Sequence, residues 1–117
     1  MTRKNITKLD ISRKKLEGSL KLEGFINLKE LNCNGNKITH LEVADCPKLE
    51  EIDCSSNSIL ELKVNNCPLK QLCAYGNLLT NLNLSQNKEL EELNIDNNNF
   101  SQQDLSFLKG LNDLKKL

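Results

Sequence analysis

At 117 residues, with 16 basic and 16 acidic side chains, the chain is one domain's worth and able to bury a modest core. Its zero formal charge argues against a general nucleic-acid or membrane-surface protein. Three Phe, one Tyr and no Trp mean that any core must be aliphatic.

The start, MTRKNITKLD, has no apolar run of the kind a signal peptide needs, and no segment approaches the roughly 18 residues of a membrane span. Taken as a native start, it predicts a cytoplasmic protein. Five cysteines, an odd number, fit a reducing compartment better than a disulfide scaffold. Residues 1–21 hold seven basic side chains against Asp10 and Glu17, an excess of +5 that the remainder cancels. A solvated end explains this most simply, and a site for an acidic partner is the other reading.

Beyond this basic start the chain repeats itself. Segments begin at Ile6, Leu28, Leu49, Leu69, Leu90 and Leu111, with spacings of 22, 21, 20, 21 and 21 residues. Apolar side chains fall at offsets 0, 3, 5, 10, 13, 15 and 18 from each start. The second segment shows them as Leu28, Leu31, Cys33, Ile38, Leu41, Val43 and Cys46. The third gives Leu49, Ile52, Cys54, Ile59, Leu62, Val64 and Cys67, and the fourth Leu69, Leu72, Ala74, Leu79, Leu82 and Leu84. Offset 8 is asparagine in four segments: Asn36, Asn57, Asn77 and Asn98. An amide both donates and accepts, so a stack of them can satisfy buried peptide groups where the chain turns out of each strand.

The run L-x-x-L-x-[C/L]-x-x-N-x-[I/L], found in register along the chain, resembles the leucine-rich repeat. The second half of each segment, as in Ile38-x-x-Leu41-x-Val43, repeats the first, which is similar to the 21-residue subclass with nested half-repeats. The resemblance implies a right-handed solenoid, an α/β-type architecture dominated by β, with a parallel sheet on its concave face. It implies short extended or turn segments opposite and few helices. The first segment departs from the pattern: Lys14 replaces the asparagine and the spacing after Leu16 is one residue longer. We read it as a terminal coil that closes an exposed core end.

The end departs too. In SQQDLSFLKGLNDLKKL, Ser101 followed by Asp104 reads as a helix start, and Leu105, Leu108 and Leu111 follow at helical spacing, with Gly110 as a stop. This predicts a short helix over 102–109 and an incomplete coil from Leu111. An incomplete coil is consistent with a fragment of a longer protein.

The cysteines invite chemistry, but their order C-x₁₂-C-x₇-C-x₁₂-C is the repeat period rather than the close pairing of structural zinc sites. In-register residues on adjacent parallel strands keep their Cβ atoms about 4.8 Å apart with parallel side-chain vectors, a poor geometry for a disulfide. Cys33, Cys46, Cys54 and Cys67 are therefore expected as small buried hydrophobes. Cys73 sits at offset 4 and is the one expected to be exposed. As a nucleophile or redox sensor it would need a base, and His40, the sole histidine, falls in the other half of another coil.

Offsets 2, 4 and 6 point outward from the expected concave sheet and hold six carboxylates against Lys8. The candidate partner-binding residues there are Asp10, Glu30, Asn32, Glu51, Asp53, Gln71, Cys73, Tyr75, Glu92, Asn94 and Asp96. Polar strand positions also serve solubility alone. No EF-hand loop or Gly-rich phosphate loop is present, so no metal, cofactor or catalytic residue is assigned. By family resemblance the expected role is a monomeric, non-enzymatic protein–protein interaction module, with a partner bearing a basic patch and neither nucleic acid nor membrane as ligand. The alternatives are a regulatory or targeting segment of a larger signalling protein and, last, a thiol enzyme or redox sensor at Cys73.

Overall fold

The alternation at offsets 2 to 5 of each segment becomes a short strand, one per coil. The computed structural model describes residues 3–100, 108 and 110–115. After a 3-10 turn at Arg3–Asn5 come β1 (Lys8–Asp10), β2 (Glu17–Glu23), β3 (Glu30–Asn32), β4 (Lys37–Ala44), β5 (Glu51–Asp53), β6 (Glu61–Asn65), β7 (Gln71–Cys73) and β8 (Glu92–Asn94). The first-half strands form a parallel five-stranded sheet in the order β1-β3-β5-β7-β8. Its register places residues of equal offset side by side, as in Lys8–Glu30–Glu51–Gln71–Glu92.

The second halves are extended, as the resemblance implied, and three of them pair. β2, β4 and β6 form a second parallel sheet, with strands of seven, eight and five residues. Alternating, partly β-branched stretches such as Ile38-Thr-His-Leu-Glu-Val43 favour a strand, so the expected extended segments pair into a sheet of their own. The β2–β4 pairing shifts register between Gly18 and Ser19, where Gly18 lies against Ile38 and Ser19 against His40, leaving Thr39 of β4 as the extra residue. In the fourth coil the equivalent stretch is not a strand, and there Asn83 Oδ1 accepts the Ser85 N–H instead.

The core lies between the two sheets. Every inward position of the second and third coils is buried, from Leu28 through Cys46 and from Leu49 through Cys67. Ile6, Leu9, Ile11, Leu16, Leu20 and Phe25 pack on one end of it only partly covered, as a terminal coil should.

Asparagine holds the first turn of each coil. In Asn36, Asn57, Asn77 and Asn98 the Oδ1 accepts the N–H at offset 10 of the preceding coil, and the Nδ2 donates to the offset-5 carbonyls of both coils. All these bonds are 2.9–3.1 Å long. The residue just before the asparagine, or before Lys14 in the first coil, is left-handed: Arg13 (φ 52°), Gly35 (71°), Ser56 (56°), Gly76 (69°) and Asn97 (56°). A side chain there costs about 1–2 kcal/mol, which the asparagine bonds offset.

Backbone bonds also set where the last coil starts. The N–H at offset 1 reaches the offset-1 carbonyl of the coil before: Glu50 to Lys29, Lys70 to Glu50, Glu91 to Lys70. The next bond in this series is Lys115 to Glu91, at 2.7 Å. The sixth coil therefore starts at Leu114, not Leu111, and buried Leu111 takes the offset-18 place. Two leucines at helical spacing offered either start, and only the stacking bond separates them. Of the helix expected over 102–109, all but Leu108 lies outside the described residues. The offset-1 row reads Lys29, Glu50, Lys70, Glu91, Lys115, with ion pairs at 3.9 Å (Lys70–Glu50) and 3.7 Å (Lys115–Glu91).

Candidate interaction surface

Because the pleat sends offsets 3 and 5 inward, offsets 2 and 4 of the five-stranded sheet face outward in two straight rows. The offset-4 row is Asp10, Asn32, Asp53, Cys73 and Asn94. Four of these turn back on their own chain. Asp10, Asn32, Asp53 and Asn94 each accept, through Oδ1, the N–H two residues on, at 3.0–3.1 Å. Asp53 also takes the Ser55 hydroxyl at 2.6 Å and, on Oδ2, the Asn34 amide at 3.2 Å. The Ser12 hydroxyl and N–H on Asp10 hold its carboxyl below the ordinary range. These side chains shape the strand exits, a role that an outward Asp or Asn does not announce in sequence.

In the offset-2 row Lys8 pairs with Glu30 at 3.3 Å. Burial and the adjacent Glu30 carboxylate push the Glu51 carboxyl up from its usual value. Glu51 also shares a side-chain hydrogen bond with Glu30, but neither it nor Glu92 nor Asp96 has an ion pair among the described residues. They lie on either side of β7, whose outward Gln71 and Cys73, with Tyr75 just beyond, are uncharged. Glu51 and Glu92 are two strands apart, about 9.6 Å, and Tyr75 is 41% exposed.

A depression of about 570 Å³ sits on this part of the face. Glu51, Asp53, Gln71, Cys73, Glu92, Asn94 and Asp96 are in its lining. Of the candidate residues, Asp10, Glu30, Asn32 and Tyr75 lie outside that lining, and Glu30 is held by Lys8. The depression thus spans three of the five coils.

The four inward cysteines are buried and free, and Cys73 is half-buried and free. Burial raises all four inward thiols, Cys33 to about 12 and Cys67 to about 11, so they are protonated at neutral pH and poor nucleophiles or metal ligands. Among the described residues no group of three or more His, Cys, Asp or Glu is placed to hold a metal ion. His40 is exposed on β4, between Ser19 and Glu61 of the other sheet. It therefore supplies no base to Cys73.

Two family models match the sequence: a two-copy leucine-rich-repeat model over residues 26–66 and a single-repeat one over 89–111. Together with the stacked coils, they decide the family. The chain is a leucine-rich-repeat protein. No curated protein matches it significantly. Leucine-rich repeats commonly mediate protein–protein interaction and are generally non-catalytic.

Proposed function

We propose that the chain is a non-catalytic protein-recognition module whose partner presents a basic patch to the third, fourth and fifth coils. The supporting observation is the depression flanked by Glu51, Glu92 and Asp96, three carboxylates with no ion pair among the described residues. Acidic groups left unpaired around an uncharged strip favour a cationic surface by steering and by specificity. Tyr75 beside them offers an aromatic contact of the kind that anchors interfaces. A reducing compartment such as the cytoplasm suits a chain with five free thiols.

The test is capture from lysate by the immobilised chain. Glu51→Lys/Glu92→Lys/Asp96→Lys should lose its partners, whereas Glu42→Lys/Glu61→Lys on the other sheet should keep them. An unchanged partner set for the first variant refutes the proposal.

A further inference from the structure

The chain is neutral as a whole but carries its two signs in different places. Arg13, Lys14 and Lys15 are three consecutive exposed cations on the turn between β1 and β2. None of them makes an ion pair among the described residues. The turn is held in shape rather than loose. Arg13 and Lys15 are both left-handed, at φ 52° and 61°. Asn36 Oδ1 accepts the N–H groups of Lys14 and Leu16 at 3.0 Å each, and the Arg13 N–H reaches Asn34 O at 2.9 Å. No other asparagine of the ladder takes two amides in this way. Three cations on a fixed turn lose less freedom on binding than three on a mobile tail.

The complementary feature lies on the same molecule, out of reach. The depression spans β5, β7 and β8, and β3 separates β5 from β1. A turn beside β1 cannot fold back into it. We infer that the Arg13–Lys15 turn of one copy docks into the acidic depression of a second copy. This rests on the reading of the depression as an interaction surface and names one occupant for it. The contact joins two different patches, so it is head-to-tail, and copies add one after another unless the geometry closes a ring. Because it is made by exposed charges, it is weak and salt-labile.

Sedimentation of the full chain tests this. At low ionic strength, raising the concentration from about 10 μM to about 1 mM should increase the average mass beyond that of one chain, and roughly 0.5 M salt, with a Debye length near 4 Å, should return it to one chain. Arg13→Gln/Lys14→Gln/Lys15→Gln and Glu51→Gln/Glu92→Gln/Asp96→Gln, with urea midpoints confirming both are folded, should each stay single. Mixed, they should form two-chain complexes and nothing larger, because one variant retains only a depression and the other only a turn. A single-chain mass for the unmodified protein at every concentration overturns the inference, as does association that either variant retains. If the unmodified protein stays single while the depression still captures partners from lysate, self-docking alone is refuted.

Discussion

At the turn leaving the five-stranded sheet, Asn36, Asn57, Asn77 and Asn98 use both ends of their amides, on the preceding coil and on their own. At the turn near the end of each coil, the equivalent inward places are held by Cys46, Cys67 and Asn87. Cys46 donates weakly to Ala44 O, and Cys67 to Asn65 O. Asn87, 1% exposed, donates to Val64 O and Cys67 O at 3.3 Å, but its Oδ1 accepts nothing. The same amide is thus fully used at one turn and half-used at the other. What an asparagine contributes depends on whether the preceding coil offers an N–H to its oxygen, not on the residue itself.

The sharpest measurement of this contrast is kinetic. Thiols at the inward places should react with a disulfide reagent only after the core opens, roughly a thousandfold or more slower than an exposed thiol for a domain stable by about 5 kcal/mol. Cys73 should react first and alone, and four or five fast thiols would show that the core is not closed. Next in size, Asn77→Ala strips four hydrogen bonds from a site 4% exposed. It should cost about 3 kcal/mol in urea unfolding, the upper end for unsatisfied buried groups. Asn87→Cys, by contrast, removes an orphaned acceptor along with two long bonds and should leave stability within about 1 kcal/mol of the original. Equal losses at the two sites would erase the distinction between the turns.

A smaller gain is expected on the outward row. Cys73 stands where Asp10, Asn32, Asp53 and Asn94 accept a turn N–H, so Cys73→Asn should add about 1 kcal/mol by restoring that bond. Smallest is a pH effect at Glu51. Its folded carboxyl binds a proton more readily than the unfolded one, so the charged form weakens the fold above that raised value. Glu51→Gln should therefore stabilise at neutral pH, and the gain should vanish as the pH falls below the ordinary value of 4.5. A gain that grows in acid would reverse the assignment.

Much of this architecture is written in the spacing. A strict period with Leu, Ile and Cys at fixed offsets names the inward rows, and in the five-stranded sheet equal offsets become strand neighbours without adjustment. The asparagine ladder follows from the same count. The exceptions are local. Asp53 and Asp10 look like free surface carboxylates until their turn bonds are seen, because an outward Asp has the same sequence signature whether it binds a partner or its own backbone. Glu30 is withdrawn by Lys8 only once their strands are side by side. The sixth coil's start was ambiguous because Leu111 and Leu114 both fit an apolar place. The extended second halves follow from the family likeness, and the β-branched residues of β4 add the pairing into a sheet.

The row Lys29, Glu50, Lys70, Glu91, Lys115 carries a consequence for changing the length of the molecule. Its sign flips with every coil, so the coils are of two kinds and the unit of addition is a pair. Deleting the fourth coil would set Glu50 beside Glu91, like against like, whereas deleting the third and fourth together would set Lys29 beside Glu91. Shortened or lengthened versions should keep this parity if two or four coils are exchanged, and break it with one or three.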